Sequence, residues 1–370
     1  MKKVLVGGYF TNNLGDDLLL KILVDHFPQV EFTIIVDAKY IDIYKQISNL
    51  RIIKKNIGFK LINRYLEAVH SHIFTKLLLS SSDAYLEIGG SIFQQRNVDS
   101  SVSMWRENIM RSKIPYFIIG SNFGPVITQN YIDKYKCFFS NINNITFRDS
   151  KSFRLFNDLD NVQLAPDAVF GLGTENIKEY KSKHKYIVVT AIDISYSNRI
   201  LGPKYQTDNL LYRKKMIKLC TLILDAGYDI KIIPFSDFEQ DIKIAQQIKS
   251  KISNEYEDSL EIIKYSNISQ VLSLVKGASG LVSGRYHAMI LGWIFRIPQF
   301  TLTYSDKMEN TIHDIFPKQR NLTIKQFTEN SMINSFSIDE YMNIIDSKTL
   351  ISSIQKSQIH FEKFHEFLIS

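Results

Sequence analysis

The stretch "VSGRYHAMILGWIFRIPQFTLTYSDK", residues 282–307, reads as the end of a buried strand, a sharp turn at Gly284, a short apolar helix and a second strand that runs into a polar loop. Strand, crossover helix and strand make the unit of an open parallel sheet, because parallel neighbours cannot be joined by a tight hairpin. Arg285 and His287 stand at the hinge of this apolar unit, where burial without partners is costly. In open α/β sheets ligands gather beyond the carboxyl ends of the strands, so polar residues at that hinge are candidates for a site.

The same pattern extends in both directions. Apolar runs of strand length at Lys3–Val6, Phe32–Val36, Ala84–Ile88, Tyr116–Ile119 and Ile145–Phe147 each end in small, polar or glycine residues before helical periodicity begins. The polar stretch "GTENIKEYKSKHK", 173–185, reads as a linker. Strands then restart at Tyr186–Thr190, Ile230–Pro234, Glu261–Lys264, Gly280–Ser283 and Gln299–Thr303. The expectation is an α/β chain of two open parallel-sheet, Rossmann-like domains, 1–175 and 176–320. A helical C-terminal segment, 321–370, follows, with Leu350, Ile354, Phe361, Phe364 and Leu368 as its apolar positions. Within the first domain, "KLINRYLEAVHSHIFTKLLL" (60–79) spaces Leu61, Tyr65, Val69, Ile73 and Leu77 four apart. That stripe is expected to pack on the sheet, while Lys60, Arg64 and Lys76 on its other faces suit a membrane surface as the alternative.

Composition narrows the function. A chain of 370 residues exceeds one comfortable core, and 45% hydrophobic with 22% charged residues is ordinary globular usage. The formal charge of +7 favours anionic ligands or lipid head groups. Its basic residues are dispersed, with no stripe interleaved with aromatics, so nucleic acid is not expected as a partner. Cys137 and Cys220, far apart, give neither a disulfide framework nor a metal spacing. "MKKVLVGGYF" turns to glycine too early for a signal peptide, and no apolar run is long enough to span a bilayer, so a cytoplasmic protein is expected.

Polar chemistry clusters after the strands. Gly7, Gly8, Gly15, Gly89, Gly90, Gly120 and Gly124 all fall there, where the backbone must turn or approach a ligand closely. None of these turns fits G-x-G-x-x-G with a following acidic residue, nor the P-loop, which removes dinucleotide and P-loop nucleotide chemistry at the level of motif. Arg148 follows the fifth strand and precedes Asp149 and Ser150, either of which suits a helix cap. An arginine beside a helix start suits an anion. Arg285 repeats the arrangement with Tyr286 and His287, and His287 changes protonation near neutral pH.

The succession of "NNLGDD", "IGGSIF", "IGSNFGP", "FRDSKSF", "PDAVF", "IIPFSDFEQD", "SGRYHAMILG" and "TLTYSDK" resembles the polysaccharide pyruvyl transferase family, from about residue 4 to residue 310. The resemblance implies a fold like that of GT-B glycosyltransferases, two domains facing a cleft. It implies transfer of pyruvate from phosphoenolpyruvate to paired sugar hydroxyls of a surface-polysaccharide precursor, with a ketal formed, phosphate released, and neither metal nor cofactor required. By similarity Arg148, Arg285, Tyr286 and Lys307 would bind the donor, Arg285 and His287 would be catalytic, and Asn13, Asp16, Gly90 and Ser121 would line the acceptor side. The acceptor would be a sugar or a lipid-linked oligosaccharide, met at the inner face of the membrane. Asp17 stands where the family commonly has glutamate, and Ser91 where a third glycine is frequent. Two other functions fit the same pattern, a GT-B glycosyltransferase using a nucleotide sugar and a sugar-binding protein without catalysis.

Overall fold

In a computed structural model of the chain, the described residues are 1–45, 47–58, 61, 73–194, 207–329 and 336–370. They divide into two compact units. The first comprises Met1–Thr11, Asp16–Gly171 and Ile354–Ser370, and the second Asn12–Gly15 with Leu172–Ser353.

The first unit is built on seven parallel strands in the order β3-β2-β1-β4-β5-β6-β7. They are β1 (Lys3–Gly7), β2 (Glu31–Asp37), β3 (Leu50–Lys55), β4 (Ala84–Ile88), β5 (Tyr116–Ser121), β6 (Asn144–Phe147) and β7 (Val162–Leu164). The central strands β4, β5 and β6 are buried at every position, as strands covered on both faces must be. Towards the edge, β2 alternates buried and half-buried residues. Beneath β4 to β6 a dense aromatic cluster seals the sheet, with Phe93, Phe139 and Phe156 fully buried and Phe139 meeting Phe156 edge to face at 4.9 Å.

The second unit carries six parallel strands in the order β10-β9-β8-β11-β12-β13. These are β8 (Tyr186–Thr190), β9 (Asp229–Ile232), β10 (Leu260–Ile262), β11 (Gly280–Ser283), β12 (Gln299–Thr303) and β13 (Asn321–Thr323). In each sheet the strand order reverses beside the first strand, at β1/β4 and at β8/β11. There two connections leave in opposite directions and a crevice opens at the carboxyl ends. Thr190 pairs with Ser283 across the β8/β11 switch, placing Gly284 and Arg285 at its mouth.

Two parts of the chain are organised differently from the sequence expectation. The segment 321–370 carries the expected C-terminal helices, Ser347–Ser357 and Ile359–Ile369 among them, but it opens with Asn321–Thr323, the sixth strand of the second sheet, and its end, Ile354–Ser370, belongs to the first unit. There Phe361 stacks on His26 at 4.1 Å and Phe364 meets Phe117 edge to face at 5.4 Å. The stripe of residues 61–77 also departs. Leu61, Ile73 and Leu77 are 62%, 71% and 68% exposed, while Tyr65 and Val69 lie outside the described residues. Among the described side chains of the helix Ile73–Leu79 the buried ones are Thr75 and Leu79, one turn apart, on a face offset from the apolar stripe.

Candidate active site

At the carboxyl end of β11 the chain turns sharply. Gly284 N donates to both the carbonyl and the hydroxyl of Thr190, and a Cβ at 284 would stand 2.3 Å from that carbonyl oxygen. The turn therefore requires glycine. It delivers Arg285 as the N-cap of the helix Tyr286–Ile294, whose nine positions are all buried apart from His287. The helix is apolar and buried, and it carries the polar residues Arg285 and His287 at its head.

Arg285 is only 6% exposed and is held by two carboxylates. Its Nε donates to Asp241 Oδ2 at 2.9 Å and its Nη2 to Asp241 Oδ1, while Nη1 donates to Glu239. Asp241 Oδ2 also accepts from the backbone N–H groups of Phe235 and Ser236, at 3.0 and 3.1 Å. Burial disfavours the charge on Arg285, yet Asp241 and Glu239 more than restore it and hold the guanidinium firmly protonated. The two carboxyls respond oppositely. Burial pushes Asp241 up despite the pull of Arg285, whereas burial of Glu239 is outweighed by Arg285 and Lys307, which hold it below the usual range.

His287 is half-buried and meets the Tyr286 ring edge to face at 5.0 Å. Its ring lies flush against Gly15, where a Cβ would come within 1.8 Å of Nδ1. Gly15 is held by the loop Asn12–Gly15, which docks within the second unit. Asn13 bridges Ser236, Leu14 N donates to Phe235 O at 2.9 Å, and Asn13 Oδ1 accepts from Gly15 N at 3.0 Å. Lys307, in the first turn of the helix Asp306–Ile315, places Nζ 5.6 Å from the Tyr286 ring and 5.5 Å from the Tyr304 ring. The Tyr286 hydroxyl pairs with Thr311 Oγ1 at 3.1 Å, and Ser305 Oγ, buried at the head of that helix, has no hydrogen-bond partner among the described residues. Arg285, Tyr286, His287, Lys307 and Asn13 thus converge in one unit.

The remaining sequence candidates gather at the edge of the first sheet. Arg148 is 3% exposed, with Nη1 donating to Asp167 Oδ2 at 2.8 Å and Nη2 to Asn122 Oδ1 at 2.7 Å. Its guanidinium lies flat on Gly90, where a Cβ would stand 2.3 Å from Nη2. Ser121 donates through Oγ to Gly89 O at 2.8 Å, and Asn122 N donates to Gly90 O at 2.7 Å, so the glycine turn is tied to β5. Asp149, of the two capping candidates, is the one that caps the helix Ser150–Arg154, accepting from Ser152 N and Oγ, both at 2.8 Å. Asp16 Oδ1 lies 4.0 Å from the point a Cβ of Gly89 would occupy, so Asp16, Gly90 and Ser121 share this rim.

The sequence marks both arginines as suited to an anion, and the structure pairs each with internal carboxylates. Those carboxylates come from stretches that carry the family resemblance but received no role from the sequence, Asp167 from "PDAVF" and Glu239 and Asp241 from "IIPFSDFEQD". A buried arginine demands a counter-ion, and an acid shortly after a neighbouring strand was the signal available. Asp17, fully buried, accepts a hydrogen bond from Tyr44, which places it in the core of its unit. Among the described residues no cluster of three or more His, Cys, Asp and Glu is placed to hold a metal ion.

The profile of the family described as polysaccharide pyruvyl transferase matches residues 13–306, a span that holds Asn13, Asp16, Gly90, Ser121, Arg148, Arg285, Tyr286 and His287 and ends one residue before Lys307. The chain belongs to the polysaccharide pyruvyl transferase family. Among curated proteins no sequence match is found. Solved structures similar to the chain include the UDP-N-acetylglucosamine 2-epimerase of Rickettsia bellii, at 12% identity and TM-score 0.58 over 100% of this chain and 96% of that one. The corresponding enzyme of Methanocaldococcus jannaschii, solved with UDP-GlcNAc and UDP, aligns at 12% identity and TM-score 0.55, over 96% and 99%. Anabaena HepE, solved with UDP and glucose, aligns at 10% identity and TM-score 0.56, over 100% of both chains. At such identities the likeness is one of fold, and it assigns this member of the polysaccharide pyruvyl transferase family two Rossmann-like units of the GT-B kind.

Proposed function

We propose that this pyruvyl transferase family member uses phosphoenolpyruvate as its donor and converts two hydroxyls of a sugar in a surface-polysaccharide precursor into a cyclic pyruvate ketal. The observation that carries the reading is the grouping, in one unit, of a titratable imidazole with two cations. His287 is mounted on the same helix head as Arg285, and Lys307 stands beside the shared Tyr286 and Tyr304 rings. A small phosphorylated acid presents a phosphate and a carboxylate close together, and charge-assisted bonds from an arginine fork and a lysine suit both.

In this reading a proton goes to the enol methylene carbon while a sugar oxygen adds to the neighbouring carbon. The second sugar oxygen then displaces phosphate, giving the ketal and orthophosphate. His287 moves these protons as general acid and base. The flush contact with Gly15 fixes the ring plane, which restrains the direction in which its nitrogens act. Asp16, Gly90 and Ser121, at the rim of the first sheet, are proposed for the acceptor side, and Arg148 shapes that rim through Gly90 and Asn122. Exposed Leu61, Ile73 and Leu77, with Lys76 beside them in sequence, support peripheral contact with an anionic bilayer, where a lipid-linked acceptor would be met.

The test is ³¹P nuclear magnetic resonance of the protein incubated with phosphoenolpyruvate, UDP-N-acetylglucosamine and a lipid-linked glycan fraction. The reading expects phosphoenolpyruvate to be consumed and orthophosphate to appear. Release of UDP with phosphoenolpyruvate unspent would overturn it in favour of a nucleotide-sugar enzyme.

A further inference from the structure

The two carboxylates on Arg285 differ in kind. Asp241 has a fully buried side chain and is fixed by Arg285 and by two backbone N–H groups, so both of its oxygens are engaged. Breaking a buried ion pair strands a charge in a poor solvent, which makes Asp241 a permanent partner. Glu239 has a side chain 28% exposed, and among the described residues its carboxylate has one hydrogen-bonded ion pair, to Arg285 Nη1. It projects from a tight turn, Ser236 to Gln240, in which Gln240 takes the left-handed conformation at φ 60°. Glu239 is half-buried, with part of its side chain open to water, so its carboxylate can be rehydrated when it leaves at less cost than a sealed one.

The electrostatic sum points the same way. Arg285 and Lys307 supply two positive charges and Asp241 and Glu239 two negative ones, so with all four in place the cluster is neutral. A neutral cluster is a poor seat for a multiply charged anion. With Glu239 swung out, the Nη1 edge of Arg285 opens and the seat carries a net positive charge, with the buried Ser305 hydroxyl at the head of the helix that bears Lys307.

We infer that Glu239 is a displaceable internal counter-ion that occupies the anion seat on Arg285 until a phosphate- or carboxylate-bearing donor replaces it, while Asp241 keeps the guanidinium in place. This rests on the reading of the second unit as the donor side, and it adds a residue that sets donor affinity. A carboxylate in the seat excludes weakly held anions, because an incoming ligand must out-compete it.

The experiment is calorimetric titration of the full chain with inorganic phosphate and, separately, with phosphoenolpyruvate, for wild type, Glu239→Gln, Glu239→Asp and Asp241→Asn, each with its melting temperature. Glu239→Gln is expected to bind both anions about tenfold more tightly, as removal of a like charge a few ångströms away requires. Glu239→Asp should stay near wild type, and Asp241→Asn should lose anion binding together with melting temperature. Unchanged or weaker binding of both anions by a folded Glu239→Gln protein overturns the inference, as does loss of turnover without tighter binding, which would make Glu239 a proton carrier. Should Glu239→Gln fail to fold, Glu239→Ala removes the same charge and decides by the same criterion. If wild type does not consume phosphoenolpyruvate yet Glu239→Gln tightens phosphate binding, the donor reading falls and the counter-ion stands. If wild type does consume it and no tightening occurs, only the counter-ion falls.

Discussion

Arg148 and Arg285 occupy matching places, each directly after a strand and at the head of a helix, yet the two units use them differently. Arg148 is sealed by Asp167, Asn122 and the backbone of Gly90, with a side chain 2% exposed against an aspartate 0% exposed. Arg285 has one sealed partner, Asp241, and one that reaches water, Glu239, and it sits beside a titratable imidazole and a lysine. The same sequence signal, arginine at a strand end, thus produces a tie in one unit and a poised edge in the other. What separates them is the exposure of the counter-ion.

The comparison can be broken most forcefully at the tie. Asp167→Asn leaves the Arg148 charge buried without its carboxylate, and we expect a loss of about 3–5 kcal/mol in denaturant-measured stability. A variant as stable as wild type would show that Arg148 is no structural tie. On the other side, His287→Ala should keep its melting temperature and lose phosphoenolpyruvate turnover by about 10²- to 10⁴-fold, as removal of a general acid–base group does. Turnover near wild type would remove His287 from the chemistry.

His360 sharpens the contrast from beneath Arg148. Its Nε2 lies 2.7 Å from Pro166 O, next to Asp167, and burial depresses the imidazole to about 4, a shift that Arg148 deepens and Asp167 opposes. The folded state therefore binds fewer protons than the unfolded one between about pH 6.5 and 4. Stability should be fully present above that window and fall as pH drops through it, by about 3 kcal/mol in all. Denaturant midpoints across the range would show the slope, and His360→Gln should flatten it. An unchanged slope in that variant would assign the pH dependence to other groups.

The smallest effects concern two glycines. Gly90→Ala drives a Cβ into the Arg148 guanidinium and should cost about 1–3 kcal/mol of stability. Gly15→Ala drives one into His287, whose half-buried ring can yield, so the expected loss is in turnover, about tenfold, with little change in melting temperature. The reverse pattern, with Gly90→Ala affecting only turnover, would contradict the assignment of tie and working edge.

Much of this was legible in the sequence. Strands such as Ala84–Ile88 and Gly280–Ser283 are buried on both faces, so an unbroken apolar run announces them, and the residues after them mark the switch points. Three strands were not legible. Val162–Leu164 and Asn321–Thr323 are three residues long, too short for any periodicity, and Leu50–Lys55 ends in two lysines at the sheet edge. The stripe of Leu61, Ile73 and Leu77 was expected to face inward because periodicity reports that a helix has an apolar side, not what covers it. At the site, Arg285 and His287 could be picked out by their place after a strand. Glu239 and Asp241 could not, because their pairing with Arg285 spans more than forty residues of chain and depends on β9 and β11 each flanking β8.

The central claim is that the second unit seats a small phosphorylated acid. Its most direct test is calorimetric titration of the wild-type chain with phosphoenolpyruvate and with UDP-N-acetylglucosamine. The account predicts saturable binding of phosphoenolpyruvate that is lost in Arg285→Ala, and no heat from the nucleotide sugar. Saturable binding of UDP-N-acetylglucosamine with none of phosphoenolpyruvate would contradict it.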